Sequence, residues 1–123
     1  AYLTQPYLNP PPGLDKTYRG YPAMPQAKLD SIIQLFWSRK KQILVHANGD
    51  AAIDMVLEAF SIAQSQSGKL DLRPVIIHAQ TARIDQLDKM KNNIKSIMEP
   101  KQISEDAFKY ATAYLEAMDK IIY

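Results

Sequence analysis

The chain has no cysteine among its 123 residues. Disulfide bonds, thiolate catalysis and zinc sites built on cysteine are therefore excluded. The sequence also lacks an apolar run near the roughly 18 residues that a membrane-spanning helix needs. Its first residues lack the charged and apolar regions of a signal peptide. We therefore expect a cytoplasmic protein that has no membrane partner.

A strong charge of one sign is missing too. The chain has 15 Lys and Arg against 13 Asp and Glu, a net charge of +2, and acids lie between most of the basic groups. A nucleic-acid interface needs a denser basic face, so we expect no nucleic-acid partner. The length permits one domain with a real core. It is too short for a closed eight-stranded α/β barrel, which takes at least about 200 residues.

The first 25 residues of the chain form an unusual segment. It contains six of the eight prolines and four of the seven tyrosines. Proline fixes φ and has no N–H donor, so this segment cannot be a regular helix or a central strand. Two interpretations remain open: an extended arm that packs on a surface, or a loop that covers a substrate.

Beyond this segment, hydrophobic periodicity predicts alternating helices and strands. The predicted elements are a helix over 26–41, a strand over 43–45, a helix over 50–64, a strand over 75–77, a helix over 82–90, a third short strand over 94–98, and a C-terminal amphipathic helix over 101–123. The first helix has one apolar stripe formed by Leu29, Ile32, Ile33, Phe36 and Trp37. The continuous apolar strands are typical of a parallel sheet buried on both faces. Residues 26–100 are therefore expected to form a β/α repeat segment.

Two helix starts carry more specific predictions. Asp50 is expected either to cap the helix over 50–64 or to lie in its first turn, and a cap is preferred over a role in orienting an imidazole. Thr81 is the expected cap of the next helix, with Ile84, Leu87 and Met90 facing inward.

The two histidines of the chain occupy similar places in this pattern. His46 and His78 each end an apolar strand, and their separation of 32 residues (78 minus 46) equals about one strand–helix–strand repeat. Adjacent parallel strands lie about 4.8 Å apart, so the two imidazoles could bind one ion such as Zn or Fe. Alternatively, each histidine hydrogen-bonds nearby backbone. The shared register favours the ligand pair.

Three motifs carry a resemblance to a known family. Val45–Asp54 reads VHANGDAAID and resembles the VHAxGDxAID signature of the amidohydrolase superfamily, in the branch called amidohydrolase family 3. Arg73–Ala82 resembles the next barrel strand of that branch, which carries HAQ, and Thr4–Tyr7 resembles its PY loop. The resemblance implies a metal-bearing TIM barrel that hydrolyses C–N bonds with a metal-activated hydroxide. It assigns His46 and His78 to a divalent transition metal, Zn or Fe.

Other ligands of that family are missing from this chain. Its strand-one His-x-His pair, strand-four lysine and strand-eight aspartate have no counterpart here. We therefore expect a partial (β/α) barrel segment with two or three parallel strands and about four helices, not a closed barrel. Such a segment is expected to be inactive alone and completed by the remainder of the barrel, which would bind a small-molecule substrate. The alternative is a non-catalytic α/β module that self-associates into a homo-oligomer.

Overall fold

The computed structural model describes residues 1–68 and 70–97. Within them, helices and strands alternate in the predicted order. They are α1 Gln26–Ser38, β1 Leu44–Ala47, α2 Asp50–Ser67, β2 Val75–His78 and α3 Ile84–Ile97. The strands form an open two-stranded sheet. This confirms the predicted α/β class without a closed barrel; the helix predicted over 101–123 lies outside the described residues.

The two strands are parallel neighbours. Their register pairs Leu44 with Val75 and Ala47 with His78. The parallel pairing requires a long connection, and α2 supplies it. Parallel strands have their carboxyl ends at the same edge of the sheet, so the residues that follow β1 and β2 meet there.

Only one face of the sheet is covered by the described part of the chain. Val45 and Ile76 pack against the helices, whereas Leu44, Val75 and Ile77 on the other face are exposed, Leu44 to 60%. The prediction that the strands are buried on both faces is therefore wrong for the described residues. Alternation along a strand determines which residues share a face, but not whether another element covers it.

The core lies between α1, α2 and the covered sheet face. Leu29, Ile33 and Trp37 are buried on α1 at intervals of four residues, as the helical period predicts. The Trp37 ring lies 6.0 Å from that of Phe60 on α2. Phe36 was predicted to share the buried stripe but is 44% exposed. The stripe is thus narrower than the sequence indicates.

Both helix ends differ from the prediction. α1 ends at Ser38, so the basic residues 39–41 follow the helix rather than form its last turn. α2 continues to Ser67. The next residue, Gly68, has a φ of +78°, which suits glycine, and its N–H donates to the carbonyl of Gln64 at 2.9 Å. A residue with a Cβ would be strained at this positive φ, which glycine adopts readily.

The third predicted strand is wrong as far as the structure describes it, because residues 94–97 belong to α3. Leu87, Met90, Ile94 and Ile97 follow one another at intervals of three, four and three residues, which is helical spacing. The prediction took a short apolar run for a strand when it continued the period of the preceding helix.

The inward face of α3 also differs. Ile84 is 80% exposed and Leu87 45% exposed, whereas Gln86 is fully buried. Met90 does pack against the core, as predicted. The first buried residue of α3 is thus polar, and its hydrogen-bond partners lie at the start of α2.

Residues 1–25, named the arm below, contain no helix or strand. The arm folds back on itself: the N–H of Leu3 donates to Arg19 and the N–H of Tyr7 to Tyr18, each at 2.8 Å. The rings of Tyr7 and Tyr18 meet edge to face at 5.3 Å. The arm is therefore ordered in part by its internal contacts. No helix in the described part of the chain is long and apolar enough to cross a membrane.

Candidate metal site and arm cavity

The rings of His46 and His78 lie next to each other at the carboxyl ends of β1 and β2. Their centroids are 4.9 Å apart and their planes are inclined by 79°. Both residues are exposed. The structure thus brings together the two residues that the sequence selected.

The predicted equivalence of the two positions is wrong by one residue. The register partner of His46 is Ile77, and that of His78 is Ala47. Strict alternation would place the His78 side chain on the opposite face from His46. However, His78 has a φ of +74° and Ala79 a φ of +49°, so the chain leaves the extended conformation there. This left-handed turn accounts for the approach of the two rings.

Backbone hydrogen bonds hold the turn after β2. The N–H of Ala79 donates to Ala47 at 3.1 Å, and Thr81 donates to the carbonyl of Asn48 through its N–H at 3.3 Å and its hydroxyl at 3.0 Å. Thr81 is therefore not the cap of α3, which begins three residues later. Its hydrogen bonds join the two loops that follow the histidine-bearing strands.

The donor set for a metal is incomplete within the described residues. Two neutral imidazoles suit a transition metal, but a catalytic zinc site usually takes three protein ligands and one open position. No group of three or more His, Cys, Asp or Glu in residues 1–68 and 70–97 could hold an ion. The histidine pair fits part of a metal site.

The carboxylate of Asp50 is hydrogen-bonded by groups other than the two histidines. Its Oδ1 accepts the N–H of Thr4 at 2.9 Å, and its Oδ2 accepts the Thr4 hydroxyl at 2.5 Å and Arg83 Nη1 at 3.0 Å. α2 has no side-chain cap, so the prediction of Asp50 as a cap is wrong; it lies in the first turn, the other option. Burial raises the pKa of Asp50, but the hydrogen bonds from Thr4, Arg83 and Ala51 outweigh it and leave the pKa below its usual value.

Arg83 is the centre of a network that the sequence did not reveal. Its guanidinium pairs with Asp50, Asp54 and Asp85, with a nearest distance of 3.0 Å to each. The hydrogen bond from Arg83 is the main cause that lowers the pKa of Asp85. These pairs join the start of α2 to the start of α3. Only the i, i+2 pair with Asp85 could have been suspected from sequence.

Gln86 completes this network from inside the protein. Its amide nitrogen donates to the Asp50 carbonyl and to Asp54 Oδ1, both at 2.7 Å, while its oxygen accepts the N–H of Arg83 at 3.0 Å. A Gln three residues after the cap position that accepts the cap's N–H is half of a capping box. These hydrogen bonds satisfy the amide and so allow Gln86 to be buried.

A cavity of about 400 Å³ lies between the arm and the carboxyl end of β1, and we name it the arm cavity. Its lining includes Tyr2, Tyr7, Tyr18, Tyr21, His46 and Asn48. Of the described residues that line it, none has an Asp, Glu, Lys or Arg side chain. A larger cavity of about 740 Å³ lies away from the histidines and is lined by charged groups that include Arg19, Glu58 and Lys89.

The fold and the histidine pair define a parallel α/β protein that presents imidazoles at the carboxyl ends of neighbouring strands. Residues 1–97 match the family model described as Amidohydrolase family, and the chain belongs to this family. The match confirms the family indicated by the motifs. Searches of curated proteins and of solved structures give no match.

Proposed function

We propose that the chain is a segment of a metal-dependent hydrolase that acts on amide-type C–N bonds. In this proposal His46 and His78 bind a divalent transition metal, Zn or Fe, together with ligands from outside the described residues. The observation that carries the proposal is the approach of the two rings to 4.9 Å at the strand ends. Membership of the amidohydrolase family supports it.

The orientation of the sheet also supports the proposal. His46 shares the uncovered face with Leu44 and Ile77. In a closed α/β barrel, one face of each strand lines the barrel interior and active sites form at the carboxyl ends. The uncovered face would then be the interior face, and the remainder of the barrel would cover its apolar residues.

The roles of this chain's residues follow from their positions. His46 and His78 would hold the ion, and the turn at His78 and Ala79 would fix the direction of the second imidazole. A bound transition metal lowers the pKa of its water and so supplies hydroxide at neutral pH. Because two ligands are fewer than such a site needs, we expect no useful hydrolysis by this chain alone.

Metal binding by the full chain tests the proposal. Dialysis against Zn²⁺ followed by metal analysis should give one ion per chain. His46→Ala and His78→Ala should each weaken binding by at least about tenfold, since losing even an outer partner of a ligand costs that much. Gln80→Ala is the matched control, because Gln80 is exposed two residues beyond His78. Unchanged affinity in both histidine variants would rule out the shared site.

A second candidate function, a self-associating α/β module, is favoured by the apolar surface of the described residues. Leu44, Val75 and Ile77 on the sheet are exposed, and α3 adds Ile84 and Leu87. Exposed apolar surface on a sheet face is often covered by a partner. Light scattering after size exclusion should then show a dimer or larger species. A monomer at micromolar concentration would exclude this function.

One substitution tests whether the chains associate through the uncovered sheet face. Leu44→Lys places a charge on the uncovered sheet face and should dissociate the oligomer. Leu8→Lys is the matched control, because Leu8 is 97% exposed and belongs to the arm and not to the sheet. Equal effects of the two changes would argue against association through the sheet.

A further inference from the structure

Asn48 and Gly49 join β1 to α2, and together they form a chemically reactive pair. Asn48 is the one asparagine of the chain that glycine follows. Asparagine is thermolabile, because the backbone nitrogen of the next residue can attack its side-chain carbonyl carbon within the same molecule. Glycine hinders this attack least, since it has no Cβ. The residue types therefore permit the reaction, and the surrounding structure determines its rate.

Hydrogen bonds from the described part of the chain do not hold the two reacting groups. Asn48 Oδ1 is buried and accepts none from it, and the Gly49 N–H donates to none of its acceptors. Hydrogen bonds at these atoms would have to break before a ring could form. Because residues 1–68 and 70–97 provide none, the conformation of the backbone is what restrains the attack.

Two contacts fix that conformation. Ring formation requires rotation about the Cα–C bond of Asn48, which moves the Asn48 carbonyl oxygen. Thr81 donates to this oxygen through its N–H at 3.3 Å and its hydroxyl at 3.0 Å. The backbone of Tyr2 lies so close to Gly49 that a Cβ there would be 2.7 Å from the Tyr2 carbonyl carbon. Tyr2 belongs to the arm, so the docked arm is one of the two restraints.

The arm can release its restraint without unfolding of the core. Beyond its junction with α1, its hydrogen bonds to the rest of the described chain are those that Thr4 donates to Asp50. Its other hydrogen bonds are internal. A segment attached in this way opens at a lower free energy than the core. Opening moves Tyr2 away from Gly49 and frees the backbone to rotate.

We infer that Asn48 is a modification site that converts through a succinimide to aspartate or isoaspartate, and that the Thr4 anchor of the arm slows this conversion. The Gly49 nitrogen loses its proton to hydroxide and bonds to Asn48 Cγ. The side-chain nitrogen takes a proton from water and leaves as ammonia. A water molecule then adds to one of the two ring carbonyls and opens the ring. The conversion needs no metal, so it goes beyond the proposed function.

The product changes the charge beside the candidate metal site. It has a carboxylate two positions after His46 and two positions before Asp50. A negative charge near the Asp50 carboxylate is unfavourable. Because the reaction is irreversible once ammonia has left, the converted fraction increases with the time that the arm spends open.

The test incubates the full chain in EDTA at mildly alkaline pH and measures conversion at each asparagine by mass spectrometry of tryptic peptides. Asn48 should convert slowly in the native chain and fastest in the urea-unfolded chain. Asn9 is the internal reference, because it precedes Pro10, which has no N–H to attack with. No conversion of Asn48 above that of Asn9 would overturn the inference.

Two matched variants test the role of the arm. Thr4→Val should raise the rate at Asn48 at least about tenfold, because it removes a hydrogen bond to a charged group. Thr17→Val is the matched control: the Thr17 hydroxyl also donates to an aspartate, Asp15, but within the arm, so the rate should not change. Equal rates in the two variants would show that the anchor does not protect the bond.

The unaltered chain provides a second measurement if Thr4→Val does not fold. Urea below the unfolding midpoint should raise the conversion of Asn48 and the hydrogen exchange of the Leu3 N–H by the same factor, since both would follow arm opening. Conversion that rises only with global unfolding would contradict the inference. Zinc binding without conversion would refute this site alone, and conversion without zinc binding would support it while refuting the metal site.

Discussion

The backbone of Tyr2 lies directly against the α-carbon of Gly49. A Cβ built on Gly49 would overlap the Tyr2 carbonyl oxygen and lie 2.7 Å from its carbonyl carbon. The φ of Gly49 is −78°, which any residue can adopt, so space and not backbone conformation requires glycine here. Gly49 belongs to the motif that indicated the family, and the crossing of the arm provides a physical reason for it.

Gly49→Ala should displace the arm from α2. Overpacking of this kind costs about 1–3 kcal/mol of unfolding free energy. Limited trypsin digestion should then cleave faster after Lys16 or Arg19 in the arm. Gly68→Ala is the control: its Cβ would meet no atom within 4 Å, so it should not expose the arm although its φ of +78° is unfavourable for alanine. Unchanged arm cleavage in Gly49→Ala would contradict the close packing.

The pH dependence of stability should change in Asp50→Asn. The folded-state pKa of Asp50 is lowered, so its stabilising contribution is present above the unfolded value of about 3.9. It is lost as the pH falls through the folded pKa, because the unfolded state then binds more protons. Urea unfolding between pH 7 and pH 3 should thus show a shallower loss of stability in the variant.

A pair of substitutions at Thr4 serves as the matched check on Asp50. Thr4→Ser keeps the hydroxyl that donates to Asp50 and should keep the acid-side slope. Thr4→Val removes it and should flatten the slope in the same direction as Asp50→Asn. Identical profiles for the two Thr4 variants would show that this hydroxyl does not set the pKa.

Arg83→Lys should lower the thermal midpoint clearly more than Arg73→Lys. The Arg83 guanidinium meets three carboxylates from two helices, and lysine cannot reproduce that planar fork. Among the described residues Arg73 pairs only with Asp71, at the surface, where an ion pair contributes little. Thermal unfolding monitored by circular dichroism measures both variants. Equal midpoints would mean that the Arg83 network does not support the fold.

Gln86→Leu should destabilise the protein by about 2–3 kcal/mol, because it leaves the Arg83 N–H and the Asp50 carbonyl without this partner. Gln80→Leu changes an exposed residue of the same type and should have little effect. Chemical denaturation gives both free energies. A stable Gln86→Leu protein would show that an apolar residue suits the site, as the sequence had indicated for its neighbours Ile84 and Leu87.

Hydrophobic periodicity predicted much of the fold because it indicates which residues share one face of a helix or strand. Ile33 and Trp37 on α1 were correctly predicted to be buried for this reason. The same reasoning failed for Leu44, since a strand's alternation does not say whether a second layer covers its outer face. It failed again at Ile94, where a short apolar run fits a strand or a helix equally well.

The candidate site, too, could be predicted only in part. His46 and His78 could be selected because each ends an apolar strand. The left-handed turn at His78 could not be predicted, since positive φ is uncommon for any residue other than glycine and neither His78 nor Ala79 is a glycine. Arg83 and Asp50 lie 33 positions apart and meet only through the packing of α2 against α3. Partners of this kind are set by tertiary structure.

The hydrogen bond that anchors the arm joins residues that are distant in sequence. Thr4 and Asp50 are 46 positions apart in sequence, so their bond forms only after a long loop has closed. We expect amide hydrogens of the arm, such as that of Leu3, to exchange with solvent through a local opening that leaves the core intact. The arm cavity does not exist in that open state. A ligand that binds in the cavity must therefore slow the exchange of the arm, so that binding and arm closure are thermodynamically linked.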